Sequence, residues 1–394
     1  MTQTTAQKTS APPRSYYDPA KTKAKILWIS WKDRWHPQAG GAEVLTHELR
    51  QRLVADGHSV ALLTSGYRDA PERETKLGVE IIRRGANRYT HPFKAAAHFL
   101  ARLRGGFDIV VEEVNATPYF SVLAERSAKR FLFYHHLERE VWLHEAPPPL
   151  NILGYHVFEP LATRLLARSG TPLITVSEST KQDLASYGFD AERTHIISEG
   201  IELKPMGKLN DAQKFSRPTM LSLGGIRPMK RTLDQVKAFE LAKSLVPDLQ
   251  FKIAGNASGS YGQKVLRYIA NSRYAADIDY LGRIAQRDKP RLMRSCHFIS
   301  VTSVKEGWGL IVTEAASQGT PAVVYDVPGL RDSVRHEQTG LITRTEPMAM
   351  AKAIAELLKN KTAYNRLRRK AWEWSKRITF DQSYQDLKRV LEIA

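Results

Sequence analysis

The sequence predicts an α/β protein built as two doubly wound domains that face each other across a cleft. Three observations lead there. Near-continuous apolar runs of strand length alternate with amphipathic helical patterns, as parallel sheets covered on both faces require. The alternation stops at a polar stretch, KLNDAQKFSRP (208–218), and then starts again. At 394 residues the chain is also longer than one hydrophobic core commonly serves.

The elements follow in order. Residues 1–23 are polar, with Pro and Thr and no hydrophobic segment, and read as a flexible tail, not a secretory signal. Strand-like runs then appear at 25–30 (KILWIS), 59–65 (SVALLTS), 79–84 (VEIIRR), 108–114 (DIVVEEV), 130–136 (RFLFYHH), 172–177 (PLITVS) and 195–198 (HIIS). Between the first two, residues 42–57 are apolar at Val44, Leu45, Leu49 and Leu53 and end at Gly57, which reads as a helix and its stop. After the polar stretch, strands are expected at 219–225 (TMLSLGG), 251–255 (FKIAG), 278–282 (IDYLG), 297–303 (HFISVTS) and 322–326 (AVVYD), with helices over 346–377 and 381–394. The expected division is an N-terminal domain over 24–207, a C-terminal domain over 208–377, and a closing helix within 378–394 that can return to the first domain. Open α/β sheets take ligands beyond their strand carboxyl ends, so two such sheets face to face make a cleft.

Composition narrows the class without deciding it. Hydrophobic residues at 42% exclude a mostly disordered chain, and no run approaches the ~20 apolar residues of a spanning helix. A single cysteine, Cys296, excludes an internal disulfide and a multi-cysteine metal site and fits a reducing cytoplasm. Cys296 and His297 are adjacent on a strand and so point to opposite faces, which argues for a small buried hydrophobe and against a nucleophile pair. The net charge of +18 would attract nucleic acid, anionic lipid or phosphorylated substrates.

The most specific segment is Glu306-Gly-Trp-Gly-Leu-Ile-Val-Thr-Glu314, followed by Gly319-Thr-Pro321. A strand runs into a glycine-rich turn, and a helix begins near Leu310. Gly307 and Gly309 let the backbone approach a ligand and leave N–H groups free at a helix start, which suits an anion. Glu306 on the turn and Glu314 on the second helical turn can reach opposite ends of one ligand. The segment resembles the Glu-x7-Glu motif of family-4 retaining glycosyltransferases, which have the GT-B fold of two Rossmann-like domains. The resemblance implies that Glu306 lies at the transferred sugar and Glu314 at the ribose hydroxyls, with Trp308 where the family more often has Phe, and with Leu310 opening the donor helix.

Other landmarks fall in place along the chain from about residue 25. Gly224-Gly225-Ile-Arg227-Pro-Met-Lys230-Arg231 follows a strand, and the resemblance implies that Arg227 and Lys230 clasp the donor phosphates, with Arg231 as the alternative to Lys230. Fixed cations there would stabilise a departing diphosphate without a metal. Gly40 and Gly41 open a helix where the family packs a turn against the phosphate; no third glycine completes a dinucleotide fingerprint, and Glu43 reads as a first-turn charge. His135 fits a family histidine directed at the sugar, with His136 adjacent. Asn115 and Pro118 sit at the preceding strand end, and Asn115 and His136 are expected on the acceptor side. Ser177, Ser179 and Lys181 resemble a further landmark, with Ser179 equally suited to cap a helix.

The expectation is therefore a retaining, metal-independent transferase that moves a sugar from a nucleotide diphosphate sugar to an acceptor hydroxyl, in cell-surface glycan or glycolipid synthesis. No Asp-x-Asp signature accompanies the motifs, no cofactor is expected beyond the donor substrate, and no nucleic acid is expected as a partner. The acceptor is a sugar, a lipid-linked molecule or another hydroxyl compound. Two basic segments, 91–106 with Phe93, Ala97 and Leu100 on one side and 359–377 with Trp372 and Trp374, fit two readings of a cytoplasmic protein equally: one peripheral on the cytoplasmic face of an anionic membrane, and one in which 91–106 covers the sheet with its apolar side and the tryptophans pack under the closing helix. Against this stand two readings, another GT-B enzyme such as an epimerase, and a non-catalytic basic protein that binds nucleic acid or lipid. The second explains the charge and leaves both carboxylates unexplained.

Overall fold

The computed structural model describes residues 23–87 and 90–393, so the N-terminal tail of the sequence reading lies outside the described residues except for Lys23. The first sheet is built from β1 (Lys25–Ile29), β2 (Ser59–Thr64), β3 (Arg73–Lys76), β4 (Val79–Arg83), β5 (Ile109–Glu113), β6 (Lys129–Tyr134), β7 (Leu173–Thr175) and β8 (Thr194–Ile196). Its strand order is β3-β4-β2-β1-β5-β6-β7-β8. All neighbours are parallel except β3, which pairs antiparallel with β4. The second sheet holds β9 (Thr219–Leu223), β10 (Gln250–Ala254), β11 (Ile278–Gly282), β12 (Phe298–Val301), β13 (Ala322–Tyr325) and β14 (Gly340–Thr343), in the order β11-β10-β9-β12-β13-β14. This sheet is wholly parallel.

Two strands were not in the sequence reading. β3 is RETK at the sheet edge, alternating exposed and half-buried, and carries no apolar run to reveal it. Gly340–Thr343 lies beyond the last strand of the sequence reading, yet it pairs in register with β13 as the edge of the second sheet. The first histidine of RFLFYHH is also not in a strand, because β6 ends at Tyr134 and leaves His135 at its carboxyl end. The helix expected over 346–377 is two helices, Pro347–Lys359 and Lys361–Ser375, with Asn360 capping the second through Ala363 N at 2.9 Å.

The closing helix, Phe380–Leu391, shows why the chain crosses back. Phe380, Tyr384, Leu387 and Leu391 repeat at helical spacing, and all four join the core of the first domain with Leu45, Leu49 and Leu53 of the helix Gly41–Ala55. Each such side chain removed from water contributes about 1.5–3 kcal/mol. Tyr384 Oη adds a 2.8 Å hydrogen bond to Asp56. Cys296 is buried, and burial pushes its thiol up to about 12, as suits a core residue.

Candidate active site

The carboxyl ends of the central strands open on one cleft of about 620 Å³ lined by both domains. Gly40, Gly41, Asn115, His135, His136, Arg227, Lys230, Glu306, Gly307, Trp308, Gly309, Leu310 and Glu314 all line it. Gly225 does not; the neighbouring Gly224, at φ +139°, takes that place in the wall. Pro118, Ser177, Ser179 and Lys181 are also outside it. The cap of helix Glu178–Ala185 is Ser177, whose side chain accepts from Thr180 N, and not Ser179. Ser179 N instead donates to Asp332 of the second domain at 3.1 Å.

The second-domain wall is made by two turns. Beyond β9 the chain enters a single turn of 3-10 helix, Pro228–Lys230, which sends Arg227 and Lys230 into the cleft and turns Arg231, at φ +47°, toward a separate cavity with Lys305 and Asp183. The sequence left Lys230 and Arg231 as alternatives, and the backbone separates them. Arg227 is exposed and, among the described residues, has no carboxylate within 4.0 Å. Beyond β12 the turn 302–309 carries Glu306. Lys230 Nζ donates to Glu306 Oε1, and Ser303 Oγ donates to the same oxygen at 2.5 Å. Burial pushes the Glu306 carboxyl up, but the charge and hydrogen bond of Lys230 outweigh it and hold the group below its usual range. Gly309, at φ +92°, then starts the helix Leu310–Ser317. One turn in, Glu314 is 6% exposed and pairs with Lys289 Nζ at 2.5 Å. Burial raises its pKa, and Lys289 opposes that rise only in part.

The first-domain wall centres on His135. Its ring stacks on Phe133 at 4.6 Å between centroids, with Nε2 3.6 Å from Glu113 Oε2 and Nδ1 3.8 Å from Glu199 Oε1. Burial disfavours the imidazolium, yet the two carboxylates overcome it and raise the pKa to about 9. Glu113 is itself fully buried, where it accepts from Trp28 Nε1 and from Ser30 Oγ at 3.0 Å and faces Arg50 at 3.5 Å. Burial raises its pKa, and His135 and Arg50 turn the balance downward. Two cations and two carboxylates thus form one compensated group under the cleft. Beside it, burial lowers His136. Glu43 accepts from Gly40 N at 2.6 Å and pairs with Lys32 at 3.2 Å, so it is both a cap and an ion-pair partner.

Sequence reasoning did not find Glu113, Glu199, Arg50 or Lys289. For Glu113 a signal was present: two consecutive glutamates close the apolar run DIVVEEV, where a buried strand has no reason to carry charge without partners. Its neighbour Glu112 is buried too and accepts from the N–H groups of Tyr119, Phe120 and Ser121 at 2.8, 3.0 and 2.8 Å, which holds the loop after β5. Asp277-Ile278-Asp279, at the start of β11, is an Asp-x-Asp, but Asp277 pairs with Arg217 and Lys243 and Asp279 with Lys252, away from the cleft lining. Among the described residues no group of three or more His, Cys, Asp or Glu side chains is gathered as a metal site.

Comparison with known proteins agrees with this architecture. The model of the family Glycosyltransferase Family 4 matches residues 39–204, and that of Glycosyl transferases group 1 matches residues 210–374. A D-inositol 3-phosphate glycosyltransferase of Nocardioides sp. is 24% identical over 87% of this chain and 84% of its own. The matches to several other relatives of that description span about half of their length. Among solved structures, sucrose-phosphate synthase from Thermosynechococcus elongatus has a TM-score of 0.76 at 17% identity, covering 94% of this chain and 98% of that one. HepE from Anabaena, in complex with UDP and glucose, has a TM-score of 0.69 at 16% identity, covering 94% and 99%. Matched in each half by a glycosyltransferase model and sharing the two-sheet architecture of these enzymes, the chain belongs to the family-4 glycosyltransferases of the GT-B fold.

Proposed function

We propose that this glycosyltransferase is a retaining enzyme that takes its sugar from a nucleotide diphosphate donor without a divalent metal. The observation that carries the reading is the second-domain wall, where Arg227, Lys230, Glu306 and Glu314 line one cleft in sequence-distant pairs. In this reading the diphosphate meets Arg227 and Lys230, the ribose hydroxyls meet Glu314, and the transferred sugar lies by Glu306 and the His135 wall. The anomeric carbon–oxygen bond breaks with its electron pair going to the diphosphate, whose growing charge the two cations stabilise. The acceptor oxygen attacks the same face, and its proton passes to the departing phosphate oxygen. Lys230 is paired with Glu306, so donor phosphate competes for a cation that is already positioned and partly neutralised. A uridine base is the first donor to try, given the UDP held by the Anabaena enzyme. The acceptor is a hydroxyl on a sugar or a lipid-linked molecule, met by a protein peripheral on the cytoplasmic face of a membrane. A thermal-shift screen of nucleotide sugars tests the donor, because a true donor stabilises the fold by mass action. Transfer with inversion of the anomeric centre, read by NMR of the product, overturns the retaining mechanism.

A further inference from the structure

The segment between Val141 and Leu166 folds as short helical turns over the first domain, at Glu140–Glu145, Leu150–Leu153, Gly154–Phe158 and Glu159–Ala167. Their inward face is supplied by Gly154, Ala162, Thr163 and Leu166. A surface helix is expected to turn polar side chains outward. Here Leu150, Ile152, Leu153, Val157, Phe158 and Leu161 are turned outward, each 40–60% exposed. Scattered exposed leucines carry no meaning, but a run of this density on one stretch marks a binding surface.

The charges say what it binds. One exposed carboxylate, Glu140, stands at the start of the first turn; the two in 143–168 both turn inward. Glu159 accepts from the N–H groups of Glu138 and Arg139 at 2.7 Å each, and Glu145 accepts from Met229 N at 3.3 Å. The charged or titratable side chains left exposed in 143–168 are Arg164, Arg168, His144 and His156. The second apolar stripe of the domain repeats the pattern. On the helix His91–His98 and the turn after it, Phe93 is 77% and Leu100 51% exposed, while Ala95 and Phe99 face the core. Residues 91–106 contain Lys94, Arg102 and Arg104 and no acid. Apolar side chains set among cations, with acids withdrawn, match an anionic lipid interface. A symmetric second copy would set the same basic patch on both sides of the interface, cation facing cation. The other basic segment of the sequence reading, 359–377, has a different build. Trp372 Nε1 donates to Met206 O at 2.8 Å and Trp374 packs on Trp308, so both rings face inward.

We infer that residues 143–165, with the Phe93–Leu100 stripe, dock the first domain on an anionic bilayer. Trp142, Glu145 and Ala146 adjoin one stripe and Pro92 the other, and all four line the cleft, so docking sets the cleft mouth at the headgroup layer. That the cleft then draws its acceptor hydroxyl from the bilayer rests on the transferase reading; the docking itself does not.

The test is flotation of the full chain, without nucleotide sugar, on phosphatidylcholine vesicles with and without phosphatidylglycerol. Binding is expected only with the anionic lipid, weakened by salt, and reduced about tenfold or more by Leu153→Glu with Leu161→Glu. Arg164→Glu with Arg168→Glu should flatten the salt dependence. Leu245→Glu, at an exposed leucine of the second domain, should change nothing. Unchanged melting temperatures and donor thermal shifts in these surface variants keep folding and donor binding apart from docking. Failure to float, or flotation indifferent to Leu153 and Leu161, overturns the inference. So does a dimer that Leu153→Glu dissociates while the wild type ignores vesicles. If vesicles bind and no nucleotide sugar shifts the melting temperature, docking stands and the donor reading falls.

Discussion

Gly307 lies against the backbone carbonyl of His135, so close that a Cβ at Gly307 would sit 2.6 Å from the oxygen. The contact joins the Glu306 turn of the second domain to the strand end of the first. It is backbone on one side, so no side chain can swing away to make room.

Gly307→Ala should therefore displace the Glu306 turn from His135, at a cost of about 1–3 kcal/mol in the closed arrangement. Transfer rate is expected to fall by roughly tenfold or more, because small misplacements of reacting groups are costly. Nucleotide affinity should change less, since Arg227 and Glu314 are left in place. Steady-state kinetics with separate measurement of nucleotide binding checks this, and an unimpaired Gly307→Ala enzyme would show that the contact has no bearing on the reaction.

Two ion pairs distinguish the two glutamates of the second-domain wall. Glu306 shares Lys230 and Glu314 shares Lys289. Glu314→Gln should weaken donor binding, and Glu306→Gln should mainly lower turnover, each by roughly 10- to 100-fold, the scale of a hydrogen bond to a charged group. Lys289→Ala should resemble Glu314→Gln, because it leaves a buried carboxyl, whose pKa burial already raises, without its cation. Full activity in both glutamate variants with an identified donor would remove the assignment.

How much of this site the sequence disclosed follows from what each residue does locally. Glu306, Arg227 and Gly41 sit where a strand turns into a helix, and strand-turn-helix order is written in local periodicity. β3 was missed because RETK is an edge strand with no buried residue, and β14 because GLIT, though buried or half-buried throughout, is only four residues long and shows no alternation. The network of Arg50, Glu113 and Glu199 was missed for a different reason. Its members are 63 and more residues apart and meet only when the sheet forms, so no local spacing announces them. The exposed leucines of 143–165 carry no signal in the sequence, since periodicity cannot say which side of a short turn meets the sheet.

The turn after β9 gives a direct comparison of neighbours. Arg227→Ala and Lys230→Ala should reduce nucleotide diphosphate affinity and reduce transfer more, since charge grows as the bond breaks. Arg231→Ala, whose backbone turns it to the other cavity, should leave nucleotide affinity within about twofold. Chelator should leave wild-type transfer intact. Loss of transfer with EDTA, restored by magnesium or manganese, would overturn the metal-free mechanism, whatever the arginine variants do.

The last prediction concerns His135. Its folded pKa of about 9 results from Glu113 and Glu199 overcoming burial, against ~6.5 in an unfolded chain. A group whose pKa is raised on folding contributes its stability in full below the unfolded value, and that contribution is lost as pH rises through the folded one. The melting temperature should thus carry a component that declines between about pH 6.5 and 9. Lys214 titrates with the opposite sign. Burial, followed by the charge of Arg368, draws it down to about 7, so the folded chain holds fewer protons than the unfolded one above that pH and stability gains. The two overlap, so the wild-type curve alone cannot separate them. The difference curve against Glu199→Gln can, because that variant removes one of the two carboxylates that hold the imidazolium and leaves Lys214 untouched. The variant should lose stability at pH 7, where His135 is charged in the wild type, and should converge toward the wild type near pH 10. A constant offset across the range would mean that His135 is neutral throughout and that Glu199 acts only by packing.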